Sequence, residues 1–324
     1  MIKNIKTCYS IIVLGMTCAI ESKEAAHSFL PPQKVDFLSS MGWDLEKNDT
    51  PKKTHYTGDS KSAQKKRDTL DALRKLYDKN YPSKNMAQRK AVIPKIIHQI
   101  WVGPKQPPSI FKKSQESIAK YHPDWEYKLW TDADIPNFHL HNKKFYDLSN
   151  NYGEKADILR YEILYRYGGI YLDVDFVCLK PLDVLSHYDL WTSLQPLDCR
   201  GDINNAVIGS VPGHPILKDC ILTIPHDWYA IHDAKGINSV LDKVGPRHFQ
   251  RSFMKFVNDT TLHIIAFPAS FFHPIDIRDR LIGLQVSKRT NRQKMDSLIK
   301  PESFAVHYYA GSWWGSKRNE DIIK

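Results

Sequence analysis

Two aspartates spaced two apart, Asp173 and Asp175, carry the clearest chemical signal in this chain. On an extended strand that spacing puts both carboxylates on one face, where oxygen donors can hold a hard divalent cation. Spacing alone says little, because 27 aspartates in 324 residues generate about two such pairs by chance, and two occur, the other being Asp132 and Asp134. Context separates them. The run YLDVD follows a helix and the Gly168-Gly169 pair, so Asp173 and Asp175 fall near a strand's C-terminal end, where open α/β sheets form their ligand crevices. Asp132 and Asp134 stand in a turn ahead of Pro136, where aspartate serves as a cap. Upstream, Asp157 and Arg160 are three apart on the preceding helix and share a face. A local ion pair is the plain reading, and their place just before the strand aims that polar face toward the same end.

The elements that must position these residues are legible in outline. Residues 91–103 (AVIPKIIHQIWVG) form a β-branched and aromatic run ended by Gly103-Pro104, which predicts a buried strand followed by a loop. Ser109 is placed to cap a helix through Tyr121, and residues 125–131 (WEYKLWT) alternate as a second strand. Residues 155–167 predict a helix with Ile158, Leu159, Ile163 and Leu164 as its apolar positions, closed by a left-handed glycine cap. Residues 170–179 then read as one strand. The alternation of strand and helix predicts an α/β fold.

Composition sets the outer limits. With 42% hydrophobic and 25% charged residues the chain has ample material for a core, which excludes a wholly disordered or collagen-like protein. The net charge of +10 is unevenly spread: residues 1–90 hold 17 Lys+Arg against 10 Asp+Glu, the remainder 29 against 26. A basic leader of this kind is ordinarily a solvated segment, with peripheral contact to an acidic membrane as its functional reading. The nearly balanced body, without zinc-finger spacing or RNA-binding aromatics, excludes a nucleic-acid partner. Lys3 and Lys6 precede an uncharged stretch from Thr7 to Ile20, which predicts a signal peptide and a secretory, envelope or secreted location, with a short membrane anchor as the alternative. Residues 21–90 read as a polar stem with a short helix at 68–77, and the catalytic portion is expected over 91–324. Five cysteines without CxxC spacing read as packing residues, with room for one disulfide.

Together, IPKIIHQIWVG (93–103), YKLWTD (127–132), KADILRYEILYRYGGIYLDVD (155–175), NNAVIGSVPGHP (204–215) and AVHYYAGSWW (305–314) resemble glycosyltransferase family 32, the Asp-x-Asp sugar transferases. A weaker likeness extends to the catalytic domains of the large clostridial glucosylating toxins. The resemblance implies a GT-A fold: a Rossmann-like nucleotide-binding half with a mixed central sheet, merged with an acceptor-binding half. It implies a retaining, metal-dependent transfer of a hexose-type sugar from a UDP- or GDP-sugar to a glycan, glycolipid or protein acceptor. A non-catalytic glycan- or nucleotide-sugar-binding module of the same fold is the alternative.

Carried over residue by residue, the resemblance implies Asp175 as the direct Mn²⁺ or Mg²⁺ ligand, Asp173 on ribose and metal, and Asp157 with Arg160 on the donor sugar and diphosphate. Tyr161 belongs to the same ordered block and is placed with the donor-binding residues. Trp101 is similar to the aromatic that stacks on the base; otherwise it is core. His307 is a metal or diphosphate contact, or else a satisfied structural histidine. Asn205, with Asn204 beside it, touches the sugar or merely forms a turn. Ser312 with Trp313 resembles a clamp over the phosphates, and Trp314 stands as the alternative to Trp313. A chemical argument runs alongside: the diphosphate leaving group gains charge as the glycosidic bond breaks, which a cation and a planar guanidinium both offset. The resemblance implies retention by front-face attack, and the sequence offers no candidate nucleophile for a covalent route.

Overall fold

The computed structural model describes residues 34–42, 60–81, 89–197, 201–231, 237–275 and 289–311. In chain order the elements are α1 (Phe37–Ser40), α2 (Lys61–Asn80), β1 (Ile96–Ile100), α3 (Ile110–Tyr121), β2 (Glu126–Trp130), α4 (Lys143–Leu148), α5 (Tyr152–Tyr167), β3 (Gly169–Leu172), β4 (Phe176–Cys178), β5 (Leu190–Leu194), β6 (Ile203–Ser210), α6 (Pro215–Ala230), α7 (Ile237–Lys243), α8 (Pro246–Met254), β7 (Ile264–Phe267), α9 (Arg289–Leu298) and β8 (Ala305–His307). Six strands form one mixed sheet in the order β2-β1-β3-β6-β5-β7, and β4 pairs with β8 in a second, two-stranded sheet. Strands β2, β1 and β3 are parallel, the Rossmann-like part of the expected α/β GT-A layout, whereas β6 runs antiparallel to both its neighbours. No helix among the described residues is long and apolar enough to cross a membrane.

The direction of β6 decides where the site lies. Its first residues, Ile203 to Asn205, stand at the same edge as the C-terminal ends of β1 and β3, because Leu172 pairs with Val207 and the Asp173 N–H donates to Ala206 O at 2.9 Å. Three strand ends therefore meet in one crevice. Helix α5 covers this region, and Ile158, Leu159, Ile163 and Leu164 are fully buried as their spacing predicts. Asn151 starts it, its Oδ1 accepting from the N–H groups of Gly153 and Glu154 at 2.8 and 3.2 Å.

The two glycines that end α5 are required for different contacts. Gly168 has φ +64°, and a Cβ there would lie 2.7 Å from Pro212 Cδ; Gly169 has φ +93°, and its Cβ would lie 2.6 Å from the carbonyl oxygen of Ile96 on β1. Left-handed backbone strain and a backbone collision act together at Gly169. Gly169→Ala is therefore expected to lower unfolding free energy by roughly 2–4 kcal/mol, read from urea denaturation.

Several expectations need correction. The run 170–179 is not one strand: it breaks at Asp173, where the Phe176 N–H turns back to donate to Asp173 O at 3.1 Å, and the two halves join different sheets. Ser109 does precede α3, but its backbone is already helical and its side chain makes no capping bond. The short helix at 68–77 is instead the 20-residue α2. Nor does this part of the leader stand apart from the body. Leu70, Leu73, Leu76 and Tyr77 enter the main core, and Asn80 Nδ2 donates to Ile264 O of β7 at 2.8 Å. The signal-like segment, Cys8, Cys18 and Cys199 lie outside the described residues; Cys178 and Cys220 are buried free thiols, consistent with packing.

Buried neutral histidines tie these layers together. His98 on β1 donates from Nε2 to Gly168 O at 2.9 Å, while its Nδ1 accepts the Trp130 indole N–H at 3.2 Å, so the ring must be neutral. His214 caps α6, its Nδ1 accepting from Ile216 N at 3.2 Å. Burial pushes both imidazoles down to about 4. As pH falls below about 6.5 the unfolded chain takes up protons that the folded chain refuses, so stability, complete above that pH, declines toward pH 4. Each of the two is expected to cost about 2 kcal/mol on going from pH 7 to pH 5, measured as the shift in chemical unfolding.

Candidate active site

The turn that breaks the Asp173 strand also builds the site. Asp173 and Asp175 do not share a strand face; they flank Val174 in the turn between β3 and β4, and β8 brings a third donor beside them. Phe176 pairs with His307 across the β4–β8 ladder, and their rings stack at 4.5 Å, which sets the imidazole next to Asp175. His307 Nε2 lies 3.2 Å from Asp175 Oδ1 and 4.0 Å from Asp173 Oδ2. One ligand atom from each of Asp173, Asp175 and His307 falls within 4.8 Å of the others, and among the described residues no other group of three such donors occurs. Two carboxylates and an imidazole form a donor set able to hold a divalent metal ion.

The two acids are held differently. Asp175 is buried, and its Oδ2 accepts the Ala310 N–H at 2.7 Å. Burial alone would raise its carboxyl, but His307 and the Ala310 N–H outweigh that and hold it below the ordinary range. Asp173 reaches the cleft, and its Oδ1 accepts the Tyr171 hydroxyl at 2.6 Å with Arg160 Nη2 at 3.4 Å. Burial pushes Asp173 upward, with Arg160 pulling it back and the charge of Asp175 adding to the rise. Asp175 thus keeps its charge more readily than Asp173.

Behind the turn, α5 supplies a buried charged pair. Arg160 Nη2 lies 3.0 Å from Asp157 Oδ1, Nη1 donates to Asn205 O at 2.7 Å, and the guanidinium lies 4.5 Å from the centre of the Tyr171 ring. Asn205 Nδ2 donates to Asp157 Oδ1 and to the Tyr161 hydroxyl, both at 2.8 Å. Burial raises the Asp157 carboxyl to about 7 even though Arg160 opposes it. The pair is not the solvated surface contact that its spacing alone suggests.

These groups line a cleft of about 470 Å³, together with Trp101, Lys105, Tyr152, Gln195 and Asn204. Trp101 stands in the cleft wall, its backbone N–H on Trp130 O and its indole N–H on Lys105 O, both at 2.8 Å. The following loop is fixed by Gly103, whose N–H donates to Asp132 Oδ2 at 2.7 Å. Asp134 accepts from Thr131 N and pairs with Lys128 at 2.6 Å, so the second Asp-x-Asp pair holds a loop and binds nothing in the cleft.

Of the sequence-derived site residues, the structure brings together Trp101, Asp157, Arg160, Asp173, Asp175, Asn205 and His307. Tyr161 is a correction. It is fully buried against Phe249, does not line the cleft, and uses its hydroxyl to donate to Val244 O at 2.7 Å, so it orients Asn205. Ser312, Trp313 and Trp314 lie outside the described residues. Sequence reasoning missed Tyr171, Lys105, Tyr152 and Gln195. Only Tyr171 left a signal, since on a strand it shares a face with Asp173.

A family model for the glycosyltransferase sugar-binding region containing the DXD motif matches residues 108–191. Inositol phosphoceramide mannosyltransferase 3 of Schizosaccharomyces pombe is 37% identical over 159 residues, 48% of this chain and 44% of that protein. An uncharacterized glycosyltransferase of Acanthamoeba polyphaga mimivirus is 32% identical over 194 residues, 57% of this chain and 75% of that protein. The catalytic domain of the Clostridium novyi alpha-toxin superposes with a TM-score of 0.45 at 11% identity, covering 84% of this chain and 89% of the toxin domain. The chain spans 44% and 47% of the length of S. pombe inositol phosphoceramide mannosyltransferases 3 and 2. With three-quarters of the viral protein covered at this identity, the chain belongs to the glycosyltransferase family whose sugar-binding region carries the DXD motif.

Proposed function

We propose that this chain is a retaining, metal-dependent mannosyltransferase that takes its sugar from a UDP- or GDP-linked donor and delivers it to an inositol-phosphoryl lipid. The single observation that carries the reading is the convergence of Asp173, Asp175 and His307 beside the buried Asp157–Arg160 pair in a cleft walled by Trp101. The acceptor follows from the names of relatives, three of which are inositol phosphoceramide mannosyltransferases. The signal-like N-terminus supports entry into a secretory or envelope compartment.

Asp173, Asp175 and His307 would hold Mn²⁺ or Mg²⁺, which when bound supplies Lewis-acid stabilisation of the diphosphate leaving group. The remaining work falls to the chain. Trp101 offers a flat face to the nucleobase, a sequence-tolerant contact worth about 1–3 kcal/mol. Arg160, fixed by Asp157 and Asn205 O, keeps its charge beside the site of leaving-group departure without reorganising. Asn204 and Asn205 line the same cleft and would offer amide groups to a donor's sugar hydroxyls. A covalent intermediate needs a carboxylate free to attack, yet Asp157 is bound by Arg160 and Asn205, and Asp175 by His307 and Ala310. This favours entry of the acceptor hydroxyl on the leaving-group side, with the departing phosphate oxygen taking its proton.

The test is a panel of UDP- and GDP-sugars with inositol phosphoceramide or a soluble mannoside as acceptor, assayed with Mn²⁺, Mg²⁺ or EDTA. Mannosyl transfer to the lipid that is lost in EDTA, with an α-linked product by NMR, is expected. Undiminished transfer in EDTA, or an inverted anomer, would overturn the mechanism; transfer only to other acceptors would overturn the substrate.

A further inference from the structure

The large hydrophobic side chains exposed among the described residues include Leu148, Tyr152, Leu222 and Tyr229, carried by α4, α5 and α6, and Tyr152 lines the cleft. Leu222 and Tyr229 are seven apart on α6 and share a face. The Tyr229 ring meets Phe145 of α4 at 5.8 Å, and Lys144 Nζ stands 5.5 Å from its centre. Lys144 and Leu148, four apart on α4, lie on one face, and a short turn leads from there to Tyr152, which borders the cleft. Lys155 Nζ lies 5.9 Å from the Tyr152 ring centre, and on the flank Lys243 Nζ lies 5.1 Å from that of Trp228.

The charges point to the occupant. Among the described residues no ion pair joins Lys144, Lys155 or Lys243 to a carboxylate, while the nearby Asp147 is neutralised by Lys143 at 2.6 Å. A second copy of the chain docking here by two-fold symmetry would set this row of cations against itself. Leucines that enter an acyl boundary, tyrosines that sit at headgroup depth and lysines that meet anionic headgroups are together the composition of a bilayer-facing surface.

We propose that the strip from Leu222 through Tyr229, Lys144 and Leu148 to Tyr152 rests on a bilayer bearing anionic headgroups and so presents the cleft to lipid acceptors. The purpose of this contact rests on the lipid-acceptor reading, but its test does not. Full-length chain is sedimented with phosphatidylcholine vesicles with and without phosphatidylinositol, in the absence of donor. Anionic vesicles are expected to bind about tenfold more tightly than neutral ones. Leu148→Asp/Tyr229→Asp should weaken binding about tenfold, and Lys144→Glu, a purely surface change, should weaken it several-fold on anionic vesicles alone. Donor hydrolysis without vesicles should be unchanged in both variants. All variants keep the basic leader, so the differences report the strip. Equal vesicle binding by wild type and variants would overturn the proposal, as would a self-association abolished by the same substitutions. Docking without transfer to an inositol-phosphoryl lipid would overturn only the acceptor reading; transfer to detergent-dispersed lipid without vesicle docking would overturn only the strip.

Discussion

Asp175→Asn is expected to reduce sugar transfer at least about 10³-fold, equivalent to about 4 kcal/mol of transition-state stabilisation, while leaving the protein folded and only slightly less stable than wild type. Asparagine retains an acceptor for the Ala310 N–H that Asp175 binds at 2.7 Å, so the turn stays closed. His307 Nε2, 3.2 Å from Asp175 Oδ1, can accept from the new amide. What disappears is a buried negative charge that His307 and the Ala310 N–H favour by more than its burial costs. The thermal midpoint should therefore fall slightly, and Mn²⁺ affinity, followed by electron paramagnetic resonance, should fall with activity. A variant that binds Mn²⁺ and transfers sugar like wild type would remove Asp175 from the site.

Arg160→Met is expected to do more to the fold than to any single contact. It leaves Asp157, 4% exposed, and the partly shielded Asp173 without their common cation, a change that costs about 3–5 kcal/mol when a buried pair is broken. The deficit should depend on pH. Burial already raises Asp157 to about 7, far above its unfolded value, so the folded state binds the proton more strongly, and stability is regained as pH falls. Loss of Arg160 strengthens that trend. Chemical denaturation should show the variant's deficit shrinking from pH 8 to pH 5.5. Asp157→Asn/Arg160→Met, which removes both charges, should recover about 2 kcal/mol or more of the loss. Its transfer activity should stay at least about 10²-fold below wild type, because the refolded pair no longer offers a cation to the leaving group. If activity returned with stability, Arg160 would be a scaffold residue only.

The segment 152–175 was the most legible part of the chain. Helix α5 is periodic, its glycine pair can adopt φ of +64° and +93°, and the following residues are apolar until the aspartates. Such signals are local, set by side-chain volume and backbone sterics within a few residues. Likewise Asp132 and Asp134 were readable as turn formers from Pro136 nearby, and the structure uses them that way.

What the sequence could not convey depends on pairing between distant strands. The expected continuous strand from 170 to 179 is broken because Tyr308 N donates to the Asp175 carbonyl and β8, some 130 residues on, pairs with β4. That pairing energy is non-local, so neither half of the ladder announces it. Tyr161 looked like a donor contact from its place between Arg160 and the aspartates, yet the helical phase turns its hydroxyl toward the Val244 carbonyl. Sequence by itself determined which residues are chemically able to hold a cation and a diphosphate. Only the tertiary structure decided that they meet, because the antiparallel run of β6 and the β4–β8 ladder carry Asn205 and His307 to the edge where β1 and β3 end, and hydrogen bonds between remote backbones set that register.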